Sequence, residues 1–307
     1  MKIVFMGTPD YAAVTLEKLI KSDNEIAAVF AQPDKKVGRK QILTPPPVKV
    51  VAEENNIPVF QPETLRDGKA LEILKEINPD IIVVVAYGKI LPEEILNLPK
   101  FGCVNGHASL LPKYRGASPI QWCIVCGEEV TGITVMQMDK GMDTGDILTQ
   151  KEVKIGENET AEELFERLSV ISADLMLETI ENIENITPIK QNEAEATYAP
   201  IIKKEMALLD FTKSAKELSC AIRGYYSWPC AYFFLEGKRI KVIKSEVGET
   251  TSQTAGTVTQ NTDSLDIACG DGRVLKLLVL QPEGKGQMTA KQMLCGNKIE
   301  KGYVING

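Results

Sequence analysis

The sequence predicts a two-part α/β protein, a doubly wound parallel sheet followed by a small β-barrel. Three observations carry that prediction. From Lys2 to Ile186 short apolar runs alternate with helical periodicities in β-α-β-α order. One of those runs, DIIVVVAYG at 80–88, is almost continuously β-branched, as a strand buried on both faces must be. Beyond Met206 the pattern changes to short strands separated by glycine-containing turns.

The first element is KIVFM at 2–6, closed by Gly7, Thr8 and Pro9. Ala13, Leu16, Leu19 and Ile20 follow at three- and four-residue spacings, which predicts a helix. EIAAVFAQ reads as the second strand, residues 48–55 as a helix, IPVFQP as a short strand and ALEILKEI as a helix. The first strand-to-helix turn, GTPDYAA, lacks the GxGxxG pattern that brings a pyrophosphate onto a helix N-terminus. The expectation is therefore a Rossmann-like sheet without a dinucleotide, which counts against a dehydrogenase. The segment PDKKVGRKQILTPPPVK at 33–49 interrupts the rhythm as an inserted basic loop. Such insertions are often functional, although a solvated loop stiffened by prolines explains the composition equally well.

A long helix is expected from Thr160 to Ile186, with a Thr160/Glu163 capping box and an apolar stripe at Leu164, Leu168, Ile171 and Leu175. QNEAEATYAP reads as a polar linker. These boundaries give a catalytic domain at 1–189, a linker at 190–205 and an OB-like barrel domain at 206–307. In that last part SAKELSCAIRG is helical, and CAYFFLEG, KRIKVIKSEV, TAGTVTQ, SLDIACG and RVLKLLVLQP are strands.

The 307 residues suffice for two domains, and 44% hydrophobic with 25% charged residues is an ordinary globular balance. With neither a signal-like start nor an apolar run of about 18 residues, the expectation is a soluble cytoplasmic protein without a membrane partner. Seven scattered cysteines fit a reduced compartment better than a disulfide framework. The pair Cys123 and Cys126 has CxxC spacing, but one histidine and no second CxxC leave a zinc site short of ligands, so no metal is expected. The net charge of −7 is unevenly spread: from Lys203 onward 15 Lys and Arg face 11 Asp and Glu, leaving −11 on the first 202 residues. A basic face toward a nucleic acid is compatible with that distribution, as is an ordinary mixed surface.

The strongest chemical signal is VNGHASLLPKYRGASPI at 104–120. His107, the only histidine, lies two residues from Asn105 at the end of an expected strand, so both side chains point to one face. The C-terminal end of a strand in a parallel sheet is where ligands bind. There an imidazole can move a proton and an amide can donate to a developing oxyanion. Such a histidine needs a carboxylate to orient it. ITVMQMDKGMDTGDIL at 133–148 offers Asp139, Asp143 and Asp146 on one glycine-rich loop, and the residues themselves do not choose among the three.

These segments resemble the folate-dependent formyltransferases, and within them the methionyl-tRNA formyltransferase family. The resemblance extends to MGTPDYAA, the PD…GR…PPPVK loop, AYGKILP, the WPCAYF segment and LQPEGK…MTAKQML, essentially the whole chain. It implies that Asn105, His107 and Asp143 form the catalytic trio. It implies a folate site at Ser109, Leu110, Leu111 and Pro112, with Ile90 and Leu91 nearby. It also implies that Arg39 and Lys40 touch the acceptor stem and that the barrel holds tRNA. Gly106 departs from the apolar residue usual between Asn and His, and Cys230 and YYSWP depart from the usual WPGAY segment.

The implied reaction moves a formyl group from 10-formyltetrahydrofolate, the co-substrate, to the α-amino group of methionyl initiator tRNA, and a monomer is expected. Three other readings use parts of the same sequence. A formyltransferase for a small amine would keep the trio without needing the basic insertion and the barrel. A 10-formyltetrahydrofolate hydrolase would use water as nucleophile and release formate. A catalytically silent tRNA-binding protein would have no use for an intact Asn-His-Asp set.

Overall fold

The computed structural model describes residues 1–38, 40–296 and 299–305. Its contacts divide the chain into two compact units. The first holds Met1–Gly116, Thr131–Lys154 and Phe165–Tyr198, and the second holds Ala117–Val130, Ile155–Leu164 and the chain from Ala199 on.

The first unit is built on a seven-stranded sheet. Along the chain come β1 (Lys2–Gly7), α1 (Asp10–Ile20), β2 (Glu25–Phe30), β3 (Lys35–Val37), β4 (Ile42–Thr44), α2 (Pro47–Glu54), β5 (Val59–Phe60) and α3 (Lys69–Ile77). Then follow β6 (Ile81–Val85), α4 (Glu93–Leu96) and β7 (Cys103–His107), and later β8 (Val130–Gln137) and β9 (Ile147–Lys154). The strand order is β5-β2-β1-β6-β7-β8-β9. Pairing from β5 through β7 is parallel, whereas β8 runs antiparallel to β7. The sheet grows outward from β1 in one direction and from β6 in the other, so their junction is the switch point of a doubly wound fold. All five residues of β6 are buried, as its β-branched run requires. Val4, Met6, Phe30, Ile82 and Val84 share an apolar cluster with Leu74 of α3.

The basic insertion differs from the loop expected. β3 and β4 form a two-stranded antiparallel hairpin, with Lys36 opposite Leu43. Every residue of both strands is exposed, so no burial period marked them in the sequence. β9 was likewise unmarked, because its middle faces solvent: Lys151 and Glu152 are both exposed.

α5 (Pro119–Val125) and α6 (Ala161–Glu181) are the next helices. The expected Thr160 capping box is formed: the Thr160 N–H donates to Glu163 Oε2 at 2.8 Å, and the Glu163 N–H donates to Thr160 Oγ1 at 3.3 Å.

The second unit contains α7 (Ala215–Gly224) and an antiparallel half-barrel. Its strands are β10 (Tyr232–Leu235), β11 (Lys238–Thr250), β12 (Val258–Asn261), β13 (Leu265–Ala268), β14 (Arg273–Pro282) and β15 (Met288–Thr289), and α8 (Ala290–Gly296) follows. The order is β10-β11-β14-β13-β12, with β15 on β14. Leu218 and Ile222 of α7 join Phe233, Ile267, Leu275 and Leu277 in one core. Cys230, where glycine is usual, sits at φ 68°, a left-handed conformation that explains the usual glycine. Its thiol donates to the Ser227 carbonyl at 3.0 Å, and burial pushes the thiol pKa up.

α7 opens on a second capping box, in which the Glu217 N–H donates to Ser214 Oγ at 3.2 Å. Ser214→Ala removes that acceptor, and the expected loss is about 1 kcal/mol. A urea midpoint indistinguishable from wild type at equal m-value would contradict the importance of this cap.

Candidate active site

β7 carries Asn105 and His107 on one face, because strand side chains alternate. Gly106 between them faces the other way. A Cβ there would lie 3.1 Å from Ser172 Oγ and 3.2 Å from Met176 Cε of α6. The glycine that departs from the family pattern therefore matches a tight helix contact, and the spacing of its two neighbours is unchanged.

His107 is 6% exposed. Its Nε2 lies 3.0 Å from the Tyr114 carbonyl oxygen. A carbonyl only accepts, so Nε2 carries a proton. Nδ1 lies 3.7 Å from Asp143 Oδ2, beyond hydrogen-bond length. A ring protonated on both nitrogens thus meets an oxygen acceptor at each edge, and closure of the longer gap requires only a small movement. Hydrogen bonds of this kind often tighten when substrate binds.

The three loop carboxylates separate cleanly. Asp139 Oδ1 accepts from the Gly141 N–H at 2.9 Å and from Thr144 Oγ1 at 2.7 Å, so it closes its own turn. Asp146 contributes its main-chain oxygen to the Gln137 N–H at 2.8 Å. Asp143 alone reaches His107. Its Oδ2 also accepts from the Gly116 N–H at 2.8 Å, and its backbone holds φ 54°.

Asn105 is half-buried, and its side-chain amide makes no hydrogen bond among the described residues. An unspent amide on the same strand face as an imidazole suits a group that develops negative charge on an oxygen.

The segment after His107 is held by residues the sequence did not single out. Thr134 Oγ1 donates to the Ser109 carbonyl at 2.7 Å and accepts from the Leu111 N–H at 3.0 Å. Gln150 Nε2 donates to the Leu111 carbonyl at 2.8 Å. Thr134 stands opposite His107 in the β7/β8 register, and a polar residue inside the apolar run ITVMQM is the one signal that could have found it. Ser109 is buried, and its hydroxyl donates to the Lys113 carbonyl at 2.6 Å. Leu111 is buried, Leu110 is half-buried and packs near Gly132, and the Pro112 carbonyl accepts from the Thr197 N–H.

The AYGKILP loop follows β6. Gln32 Nε2 donates to the Tyr87 and Gly88 carbonyls, and Lys89 Nζ donates to those of Pro62 and Glu63. Ile90 is 74% exposed at its tip, whereas Leu91 is buried in the core with Ile95. Tyr87 is buried there too, and burial pushes its phenol up to about 12. Lys40 is exposed beside the β3–β4 hairpin, while Arg39 lies outside the described residues. Cys123 is buried on α5 and Cys126 is exposed, and none of the seven cysteines forms a disulfide.

Arg115, missed in the sequence, is fully buried at its side chain. It makes a two-pronged ion pair with Glu193, at 2.9 Å from Nη1 to Oε2 and 2.8 Å from Nη2 to Oε1. That pairing holds the Glu193 carboxyl below the usual carboxylate range.

Comparisons with known proteins agree with this architecture. The formyl transferase family matches residues 1–180, and the formyl transferase C-terminal domain family matches residues 201–298. The chain is 48% identical to the methionyl-tRNA formyltransferase of Alkaliphilus oremlandii, over 99% of both chains. It is 44% identical to that of Geobacter metallireducens, over 98% of this chain and 97% of the relative. The solved methionyl-tRNA formyltransferase from Clostridium thermocellum superposes with a TM-score of 0.57 at 22% identity, over 93% of this chain and 100% of that one.

Proposed function

The chain belongs to the methionyl-tRNA formyltransferase family, and from that premise we propose that it transfers a formyl group from 10-formyltetrahydrofolate to the α-amine of methionyl initiator tRNA. The observation that supports the assignment to residues is the approach of Asp143 to His107, with Asn105 two residues away on the same strand face. The folate co-substrate supplies the formyl carbon. A free α-amine has a pKa of about 7.7–8.0, so a usable fraction is neutral at neutral pH. The amine attacks the formyl carbon, and the bond from that carbon to the folate nitrogen breaks. The proton lost by the amine goes to the departing nitrogen. Asn105 Nδ2 and the protonated ring of His107 stabilise the oxyanion, and Asp143 holds the ring and helps pass on the proton.

Folate recognition is assigned to the Ser109–Pro112 segment and the Ile90–Leu91 loop. With the Ser109 hydroxyl and the Leu91 side chain already committed, those two contribute shape and main-chain groups rather than free side chains. Arg39 and Lys40 are assigned to tRNA, and the exposed Lys35 and Lys36 of the β3–β4 hairpin extend the positive surface around Lys40. Among the described residues no helix is long and apolar enough to cross a membrane. We read the protein as a monomer acting in the cytoplasm, where its substrates occur, with the barrel domain against tRNA.

The test is formyl transfer to charged initiator tRNA, with formate release and formylation of small amines assayed alongside. Transfer to tRNA that greatly exceeds both side reactions supports the reading. Formate without formyl-methionine, or equal use of a free amine, would replace it. The Lys36→Ala/Lys40→Ala variant should raise KM for tRNA and leave KM for folate unchanged. Its salt slope should become shallower by about one unit for each phosphate that is no longer neutralised. An unchanged KM for tRNA would remove the hairpin from the interface.

A further inference from the structure

Arg115 occupies an unusual place in the chain. The residue before it, Tyr114, supplies the carbonyl that takes His107 Nε2, and the residue after it, Gly116, supplies the N–H that holds Asp143 Oδ2. Any shift of this tripeptide moves both side chains of the proposed proton path together.

The guanidinium is anchored by a second stretch of chain, the one whose polar composition suggested a solvated linker. Gln191 Oε1 accepts from Arg115 Nε at 3.0 Å and from Nη2 at 2.7 Å. Its Nε2 donates to the carbonyls of Asp143 at 2.8 Å and Gly145 at 2.7 Å. The same stretch runs beside the tripeptide: the Arg115 N–H donates to the Thr197 carbonyl at 2.9 Å and the Tyr114 N–H to Thr197 Oγ1 at 2.8 Å. The amide orientation of Gln191 is fixed by chemistry, because a flipped amide would set donors against a guanidinium and an oxygen against two carbonyls.

We infer that Gln191 is a positioning residue for the transfer reaction, clamping the main chain of Asp143 to the buried Arg115 so that the carboxylate stays against His107. The inference rests on the function proposed above for what is transferred, but its geometry does not. One side chain spans both walls of the site: its oxygen serves the segment that holds His107, and its nitrogen serves the loop that carries Asp143. A residue at the start of the connection toward Ala199 is thereby part of the machinery, acting through Arg115 and Asp143.

Gln191→Glu and Gln191→Ala separate positioning from plain stability. The glutamate keeps an oxygen for Arg115 and adds charge to that pairing, but its second oxygen faces two carbonyl oxygens. Both variants should lower kcat about 10- to 100-fold with both KM values within about twofold of wild type. A structural role alone predicts that the glutamate, with its stronger hold on Arg115, keeps wild-type kcat, and that result would overturn the inference. His107 is the only histidine in the chain, so its imidazole nitrogen signals are readable by NMR without substrate. They should move in Gln191→Glu as Asp143 leaves Nδ1, and unmoved signals would also overturn the inference. If wild type does not formylate initiator tRNA, the proposed function fails on its own, and the imidazole signals still decide the role of Gln191.

Discussion

His107→Ala is expected to reduce formyl transfer about 1000-fold while the protein stays folded and still binds tRNA. Removing one oxyanion donor costs about 100- to 1000-fold, and loss of a general acid or base costs about 100- to 10,000-fold. His107 shares a strand face with the unspent amide of Asn105 and lies 3.7 Å from Asp143 Oδ2, so the ring's charge and its proton are both at hand. The ring is buried, so the variant should also lose about 1–3 kcal/mol of stability, which a urea titration reads separately from turnover. Asp143→Asn should cost about as much, and the double variant little more than either single one, because residues that act as a unit are not additive. Single-turnover transfer with saturating tRNA distinguishes chemistry from binding. A loss below about tenfold would remove His107 from the reaction, and full additivity with Asp143→Asn would dissolve the pair.

Much of this site was legible because its logic is periodic. The two-residue spacing of Asn105 and His107 puts them on one face of any strand, and the β-branched run of β6 fixes their neighbour in the sheet. The choice of Asp143 was not legible from spacing. Asp139 and Asp146 lie on the same loop, and what separates Asp143 from Asp139 is which hydrogen-bond donors each carboxylate finds, a fact of main-chain path. Resemblance to relatives supplied that choice where spacing could not.

The overlooked residues around the site share one physical cause. Polar residues that satisfy buried groups have the same composition as polar residues in water. Gln191 and Glu193 read as linker because nothing in the sequence shows that they serve a buried guanidinium. Thr134 drew no notice within ITVMQM, although its hydroxyl ties Ser109 to Leu111. The hairpin of β3 and β4 escaped notice for the opposite reason. With both faces in solvent it buries nothing, and alternation has no face to mark.

The loop path itself is open to test at Gly145. A Cβ on this residue would lie 1.7 Å from the Gln137 carbonyl oxygen and 2.9 Å from its carbon. Both are main-chain atoms of β8, which cannot swing aside as a flexible side chain would. Glycine is therefore required by close backbone approach. Gly145→Ala must push the loop away from β8, and Asp143, two residues earlier, moves with it. The Gly145 carbonyl also accepts from Gln191, so the clamp on Asp143 loosens at the same moment. A displacement of about 1 Å at a reacting group can cost about 100-fold, and the expected kcat loss is at least that large. Gly286→Ala is the matched control: it has open space around it and no positive φ, and its activity should equal wild type. Because the distortion lies in the loop rather than the core, Gly145→Ala should keep a cooperative urea transition while its turnover collapses. A Gly145→Ala protein with wild-type kcat would mean that β8 and the Asp143 loop are not packed as described, and the assignment of Asp143 over Asp139 and Asp146 would have to be made again.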